Sequence, residues 1–285
     1  MDQKIAEVKK FLLEVSQTWT IKSPPRLAAA LAYYSMFSLA PVIYIGLTIV
    51  NLIAVRIDPL SRFLGVIEES FGSEMATTLD EMLANLSPVS SSGSILGTLI
   101  GVGALLYAAT GLFAQLKYAL NTIWDIPVRT QGVPIGFIRD RLLAFVMVMG
   151  VGLVFVLGIA ANALFSWFIS LLQVEPTWGI WHYLVILGLT TLSFAVLYKY
   201  LPDVKVRWRF VWSGSLLGAA LFTLGYWVVG IYLRYFSISS PAAAAGSLAV
   251  ILIAVYYSAQ IFLFGAVFSR TLAAKNMLKN EPGSG

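Results

Sequence analysis

The residues best suited to bind a ligand are basic side chains that lie next to long apolar stretches. Lys205, Arg207 and Arg209 alternate with other residues in one short connector, and Trp208 and Trp212 lie beside them. Guanidinium groups bind phosphate through paired hydrogen bonds. We therefore interpret five residues as a binding site for an anionic headgroup: Arg139, Arg141, Lys205, Arg207 and Arg209. The alternative is that these charges only orient the chain in a membrane and select no ligand.

A second polar group consists of hydroxyl and amide side chains inside two of the apolar stretches. Both stretches contain the tripeptide Tyr-Tyr-Ser, at 33–35 and at 256–258. Helical spacing places Tyr34 with Ser38 on one face and Tyr256 with Gln260 on another, so the two groups can line a polar path. The residues assigned to this path are Tyr33, Tyr34, Ser35, Ser38, Tyr256, Tyr257, Ser258 and Gln260. The alternative is that they form hydrogen bonds that hold a helical bundle together.

Pro41 lies six residues beyond the first tripeptide. Proline has no backbone N–H, so it removes one hydrogen bond from a helix and favours a kink. We interpret this kink as a candidate gate for the polar path.

The chain lacks the residues that most catalytic and metal sites need. It has no Cys and a single His, His182, which excludes disulfides, thiolate chemistry and metal sites built on several histidines. His182 lies among Trp178, Trp181 and Tyr183, so we interpret it as an interfacial residue rather than a pH sensor. No phosphate-binding glycine loop or nucleophile elbow occurs. We predict no catalytic residue, no metal and no cofactor.

Six stretches without any Asp, Glu, Lys or Arg must position these residues. Each exceeds the roughly 20 residues that a helix needs to cross about 30 Å of hydrocarbon. The spans predicted within them are 28–54, 95–116, 142–170, 180–199, 211–233 and 245–268. The predicted fold class is all-α, a polytopic membrane protein with six transmembrane helices. No span core contains an ionisable residue, which argues against a carboxylate-based proton or sodium antiporter.

The basic residues indicate how the spans are oriented. Of the 19 Lys and Arg residues, only Arg56, Arg62 and Arg234 lie in connectors on one side of the predicted membrane. The positive-inside rule then places both termini in the cytoplasm. Basic residues next to spans face anionic lipid, so the net charge of +5 indicates a lipid partner and no nucleic acid. The sequence leaves a homo-oligomer or an envelope protein partner open.

The remaining segments read as amphipathic helices and a tail. Residues 1–25 predict an interfacial helix on the cytoplasmic side, which Pro24 and Pro25 end. Its apolar stripe is Ile5, Val8, Leu12, Val15 and Trp19. The outer connector, 56–94, predicts two short amphipathic helices that begin at Asp58-Pro59 and break at Gly72-Ser73. Residues 269–285 form the predicted cytoplasmic tail.

Three stretches resemble the YihY/BrkB family of bacterial inner-membrane proteins, once labelled ribonuclease BN. They read RLAAALAYYSMFSLAP at 26–41, AATGLFAQLKYALNTIW at 108–124 and GSLAVILIAVYYSAQIFLFGA at 246–266. The resemblance implies an inner-membrane protein with a role in export or lipid translocation, since family members are tied to serum resistance and to tolerance of altered envelope lipids. Ala245 and Val267 depart from the family pattern, which often has Tyr before this glycine and Glu near the end. No role of that Glu transfers to this chain.

We therefore predict a bundle in the bacterial inner membrane that translocates an amphiphilic, anionic lipid or a similar envelope solute. One alternative is a scaffold or assembly factor that transports nothing and binds a partner through the outer helices at 59–86. Another is an ion pore or exchanger that uses hydroxyls and carbonyls. A membrane nuclease or hydrolase would need metal ligands or an acid–base pair in a cytosolic cleft, which these short connectors do not offer.

Overall fold

The computed structural model describes residues 2–53, 58–71, 73–85, 95–127, 178–235 and 243–280, together with Val146 and Gly150. All regular structure within these ranges is helical, and they contain no strand. The helices are α1 (Asp2–Lys22), α2 (Pro24–Ile53), α3 (Pro59–Phe71), α4 (Ser73–Ala84), α5 (Ile95–Ile123), α6 (Trp178–Tyr200), α7 (Trp208–Tyr235) and α8 (Ala243–Asn280). The predicted span 142–170, apart from those two residues, lies outside the described ranges.

Two helices continue well beyond the charge-free stretches that predicted them. α5 reaches Ile123, although the predicted span ends at 116. α8 reaches Asn280, so residues 269–280, predicted as part of a tail, belong to the last helix. Neither extension contains Pro or Gly, and Lys, Leu, Ala and Met favour a helix. Charge therefore marks where a helix leaves an apolar environment, and it does not mark where the helix ends.

The amphipathic helix α1 packs along the second half of α8. Phe11 meets Phe268 edge to face with ring centroids 5.2 Å apart, and Trp19 meets Phe264 at 5.6 Å. Later residues of α1 thus contact earlier residues of α8, and the two helices run antiparallel. Only the second half of the predicted apolar stripe is packed: Val15 and Trp19 join the core, whereas Ile5, Val8 and Leu12 remain exposed.

The core lies where α1, α2, α5, α6, α7 and α8 converge. Five of these helices, α2, α5, α6, α7 and α8, each contribute a fully buried side chain: in that order, Leu31, Leu120, Tyr198, Val211 and Leu263. The ring of Phe262 packs against Tyr198 with centroids 4.7 Å apart and against Phe194 at 4.9 Å. Phe194 also meets Phe222 of α7 at 6.1 Å, so ring contacts join α6 to both α7 and α8.

α7 and α8 cross at two glycines with their backbones almost in contact. A Cβ on Gly214 would lie 2.5 Å from the backbone oxygen of Gly265 and 2.7 Å from Cβ of Ser269. A hydroxyl group secures the same crossing, since Ser269 Oγ of α8 donates to the Phe210 carbonyl of α7 at 2.8 Å. Nearby, Tyr198 Oη of α6 donates to the Phe262 carbonyl of α8. Small residues permit this close approach and leave carbonyls within reach of the neighbouring helix.

The short helices α3 and α4 cover a different part of the bundle. Asp58 caps α3, because its Oδ1 accepts hydrogen bonds from the N–H groups of Leu60 at 3.2 Å and Ser61 at 3.3 Å. Leu79 of α4 is buried in a small cluster that includes Ile43 of α2 and Val255 of α8. The break predicted at Gly72-Ser73 falls between the end of α3 and the start of α4.

One segment of α8 has the properties of a membrane span. Among the described residues, Leu252–Asn276 is both long enough and apolar enough to cross a membrane. The apolar segment Leu184–Tyr200 of α6 is shorter.

We expect Gly265→Ala to destabilise the protein by about 1–3 kcal/mol, the usual cost of overpacking a core. The new Cβ would lie 2.7 Å from the backbone oxygen of Gly214, which cannot move without its helix. A lower Tm of the purified protein in detergent measures the loss. Gly188→Ala is the control, because no atom lies within 4 Å of the added Cβ. This control should unfold at or above the wild-type temperature, since Ala favours a helix. Equal Tm values for Gly265→Ala and wild type would contradict the tight crossing.

Candidate functional site

Ion pairs gather four parts of the chain at one end of the helices, which we call the charged end. Its members are Lys22, Lys117, Asp125, Asp203 and Arg270. They come from the last residue of α1, the end of α5, the connector between α6 and α7, and α8. These are the four parts of the chain whose basic residues the sequence places on one side of a membrane.

Asp125 lies at the centre of the charged end, just after α5. Its carboxylate accepts hydrogen bonds from Lys22 Nζ and from Arg270 Nη2, and so ties α5 to α1 and to α8. The hydrogen bond from Lys22 lowers the pKa of Asp125 most strongly. Partial burial raises this pKa, and the positive charge of Arg270 lowers it further, so the net pKa lies below its ordinary value of 3.8.

Asp203 makes a second attachment, between α5 and the α6–α7 connector. Asn121 Nδ2 donates to Asp203 Oδ2, and the Asp203 N–H donates back to Asn121 Oδ1, both at 2.9 Å. Lys117 Nζ lies 2.9 Å from Asp203 Oδ1. The end of α5 is therefore held on two sides by polar contacts.

The basic and aromatic residues at the start of α7 form a surface that we call the headgroup patch. It consists of Lys205, Arg207, Trp208, Arg209 and Trp212, all exposed. The rings of Trp208 and Trp212 lie 6.3 Å apart, and Tyr200 meets Trp208 edge to face at 6.2 Å. Three of the five predicted headgroup-binding residues, Lys205, Arg207 and Arg209, are thus exposed within a five-residue segment at the start of α7.

Lys199 of α6 contacts both the connector and the first turn of α7 next to the headgroup patch. Its Nζ donates to the Val206 carbonyl at 2.6 Å and lies 5.4 Å from the centre of the Trp208 ring. Both contacts fix the connector against the first turn of α7. The other two predicted headgroup-binding residues, Arg139 and Arg141, lie outside the described part of the chain.

The residues predicted to line a polar path differ in their surroundings. Ser35 is buried, and its Oγ donates to the Leu31 carbonyl of its own helix at 2.7 Å. Ser38 is buried beside α5, with its Oγ 3.4 Å from where a Cβ of Gly111 would lie. Three tyrosines are exposed, namely Tyr33, Tyr34 and Tyr257, whereas Tyr256, Ser258 and Gln260 are half-buried. The ring contacts join neighbours within each tripeptide, Tyr33 to Tyr34 and Tyr256 to Tyr257.

Several other buried hydroxyls are also satisfied within their own helices. Thr191, Ser215 and Thr271 each donate to the carbonyl four residues earlier, at 2.6–2.9 Å. Such local bonding satisfies a hydroxyl without a ligand or a neighbouring helix. Pro41 is buried within α2, which continues past it to Ile53.

Sequence reasoning missed Asp125, Asn121 and Asp203. It counted basic residues to orient the chain and gave no role to the acidic residues among them. A signal was present, because the two cytoplasmic loops predicted between spans contain three acidic residues, Asp125, Asp140 and Asp203. An isolated carboxylate among many cations forms an ion pair readily when the connectors meet.

A comparison with models of protein families identifies the family of this chain. The family model described as Virulence factor BrkB matches residues 15–284. The chain belongs to the BrkB family. The resemblance of three sequence stretches to this family is therefore confirmed over nearly the whole length.

Relatives of this BrkB-family protein carry a membrane-protein name. A UPF0761 membrane protein of Aeromonas salmonicida is 27% identical over 244 residues, covering 84% of this chain and 80% of its own. A second UPF0761 membrane protein, from Photobacterium profundum, is 27% identical over 271 residues, which cover 90% of this chain and 78% of the relative. A third, from Psychromonas ingrahamii, is 27% identical over 282 residues, which cover 94% of this chain and 89% of the relative. No solved structure matches the chain.

These names agree with the composition of the chain and establish a membrane protein of the BrkB family. The three relatives are named as membrane proteins and not as enzymes, so they give no support to the older ribonuclease label. Within the described ranges, no three His, Asp or Glu side chains gather in a way that could hold a metal ion.

We expect the stability contributed by Asp125 to be lost only in acid. Because its folded-state pKa is lowered, its ion pairs contribute fully above the ordinary value of 3.8 and are lost as the pH falls through the folded value. At neutral pH, Asp125→Asn should cost about 1 kcal/mol, since solvent screens a half-exposed pair. The difference in Tm from wild type should shrink below about pH 4. Asp80→Asn, at an exposed site on α4, should show no such difference. A constant difference for Asp125→Asn down to pH 3 would contradict this role.

Proposed function

We propose that this BrkB-family protein moves an amphiphilic, anionic lipid or a similar envelope solute across the bacterial inner membrane. The observation that carries the proposal is the headgroup patch, in which exposed cations and indole rings meet at the start of α7. Guanidinium groups pair with phosphate oxygens, and Trp rings favour the boundary between headgroups and hydrocarbon.

The exposed face of α7 extends the headgroup patch into an apolar track. Trp212, Leu216 and Leu224 are 48%, 54% and 56% exposed, and their spacing places them on one side of the helix below Arg209. From Arg209 to Leu224 the helix rises about 22 Å, which exceeds the roughly 15 Å of one hydrocarbon leaflet. A cation above a long apolar face complements a lipid with an anionic headgroup and acyl chains.

The arrangement of helices supports six spans with both termini in the cytoplasm. α5 and α6 both end at the charged end, next to Asp125 and Asp203, so these two helices run in the same direction, which supports an odd number of spans between residues 127 and 178. The predicted third span falls in this interval. α3 and α4 pack near Ile43 and Val255, which are about 20 Å or more along their helices from the charged end.

In this orientation the charged end faces the anionic inner leaflet. The exposed residues Ile5, Val8 and Leu12 of α1 then rest on that leaflet, and α3 and α4 lie on the outer side. The headgroup patch meets lipid at the inner surface, where Arg139 and Arg141 complete the proposed set of cations.

The route beyond the headgroup patch is proposed to run past the hydroxyl residues of α2 and α8. Pro41 supports a gate in α2, because its missing N–H leaves the Phe37 carbonyl without a helical partner. The exposed Tyr33, Tyr34 and Tyr257 offer hydroxyl groups along this route.

A second candidate function is a scaffold that transports nothing. It is favoured by the buried hydroxyls that bond within their own helices, since Ser35, Thr191 and Ser215 then need no polar cavity. In that case the partner would meet α3 and α4, where Arg62, Glu68 and Glu81 are exposed.

Labelling of single cysteines tests the topology, because the chain has no Cys of its own. We expect Glu81→Cys, on α4, to react with an impermeant maleimide added to intact cells. Ala274→Cys, on the last turns of α8, should react only after the inner membrane is opened. Both residues are exposed, so access to the reagent depends on sidedness. Labelling of Ala274→Cys from outside would contradict six spans with a cytoplasmic C-terminus.

Lipid translocation by the purified protein in sealed liposomes tests the function. We expect fluorescent phosphatidylglycerol to become accessible to an impermeant quencher faster than fluorescent phosphatidylcholine. Combining Arg207→Glu with Arg209→Glu should slow the translocation of phosphatidylglycerol at least about tenfold, because losing one charge-assisted hydrogen bond costs about 1.5–3 kcal/mol.

Two variants serve as controls for this assay. Arg207→Lys with Arg209→Lys keeps the charges, and Arg62→Glu reverses a charge on α3 away from the headgroup patch. Both should translocate phosphatidylglycerol. A protected lipid fraction equal to that of empty liposomes would contradict translocation and favour the scaffold.

A further inference from the structure

The backbone around Asp125 gives no local preference for an aspartate. The end of α5 forms a Schellman cap, in which Ile126 N–H donates to the Asn121 carbonyl at 2.9 Å and Asp125 N–H donates to the Thr122 carbonyl at 3.4 Å. This cap places Asp125 in the left-handed region, with φ of 56°, where Gly is the usual residue. A carboxylate also interacts unfavourably with the negative end of a helix dipole. Local structure therefore gives no reason for an acidic residue here.

The two cations on Asp125 are more deeply placed than the carboxylate itself. The side chains of Lys22 and Arg270 are 17% and 26% exposed, whereas that of Asp125 is 49% exposed. Two partly covered cations that share one carboxylate favour an anion between them, because their positive charges repel each other. Asp125 supplies this anion from the solvent side.

We propose that Lys22 and Arg270 form a binding site for a phosphate-type anion, which Asp125 occupies in this structure. An ammonium beside a planar guanidinium is a donor set suited to phosphate monoesters and diesters. Asp125 Oδ1 accepts from Lys22 and Oδ2 accepts from Arg270, so two oxygens of one phosphate can take over both hydrogen bonds. The anion binds from the side on which the carboxylate is exposed.

Exchange of Asp125 for an anion changes which helices are tied together. α1 stays on α8 through the contacts of Phe11 with Phe268 and of Trp19 with Phe264. α5 stays on the α6–α7 connector through Asn121 and Asp203. The ionic link between α5 and the α1–α8 pair is released, whereas Leu120 and Ile123 of α5 stay buried in the core. The site therefore couples anion binding to the position of Asp125 and of the cap that ends α5.

The inference does not rest on the proposed function, because the site is separate from the headgroup patch and binding can be measured without transport. The simpler alternative is that Asp125 is a permanent tie between helices. The two differ in what happens when the carboxylate is removed. An internal competitor weakens the apparent affinity for the external anion by the fraction of molecules in which it is displaced.

The test is isothermal titration of the purified full chain in a non-ionic detergent. Inorganic phosphate, short-chain phosphatidic acid and short-chain phosphatidylcholine are titrated in turn. If Asp125 occupies the site in about nine of ten molecules, Asp125→Asn should strengthen binding of the anion about tenfold. Asn tolerates the left-handed region, so the cap is retained. Asp125→Gly suits the same backbone and should give the same gain, which covers a failure of the first variant to fold.

Three variants make the gain specific to this site. Adding Arg270→Gln to Asp125→Asn should remove the gain. Asp203→Asn alters the other attachment of α5, and this variant should bind the anion with the same affinity as wild type. The gain should persist when Arg207→Glu and Arg209→Glu are combined with Asp125→Asn, so failure of the headgroup patch and failure of this site can be told apart.

The ligands distinguish the source of the anion. A gain with both inorganic phosphate and phosphatidic acid supports a site for free phosphate anions, and a gain with phosphatidic acid alone supports a site for a lipid headgroup. No gain with either, or a gain that survives Arg270→Gln, overturns the proposal. An equal gain with phosphatidylcholine, whose headgroup has no net charge, overturns it as well.

Discussion

Two carboxylates allow the basic connectors of this chain to meet at one end of a helical bundle. The net charge of the protein is +5, and most of its Lys and Arg residues belong to four segments that converge there. Without anions between them, those cations would repel one another and hold the helix ends apart. Asp125 joins α1, α5 and α8, and Asp203 joins α5 to the start of α7. The rest of the inner surface, including the exposed cations of the headgroup patch, depends on this partial neutralisation.

The sequence predicts the elements of this fold better than it predicts their contacts. Charge-free length predicts α2, α5, α6, α7 and α8, because the cost of placing a charge in hydrocarbon is a property of the residue alone. The cap at Asp58 is equally local, since a side-chain acceptor two or three residues before a free N–H needs no tertiary partner. Helix ends beyond the charge-free stretches are harder to predict. Lys117 and Arg270 end an apolar run without ending a helix.

The candidate site shows where sequence reasoning stops. Lys205, Arg207 and Arg209 are neighbours in the chain, so their clustering could be predicted, and the structure exposes all three. Asp125 and Arg270 are far apart in sequence, and only the packing of α1 on α8 brings Lys22 to the same carboxylate. The hydroxyl groups pose the same difficulty. Whether Ser35 bonds to Leu31 or to a neighbouring helix depends on the distance between helices, which no local pattern encodes.

The described molecule combines a tightly packed core with ion pairs that are exposed to solvent. α7 and α8 touch through Gly214 and Gly265, and buried hydroxyls of Tyr198 and Ser269 bond across the same region. Such backbone contact has one favourable geometry, because a close-packed interior resists small shifts. The end of α5 belongs to both, because Leu120 and Ile123 are fully buried in the core whereas its polar partners Asp125 and Asp203 are exposed to solvent. Ion pairs in water exchange partners at little cost, because solvent and mobile ions replace each lost contact. Any exchange of partners that admits a ligand should therefore begin at the side chains of Asp125 and Asp203 and leave the packed helices, including the α7–α8 crossing, in place.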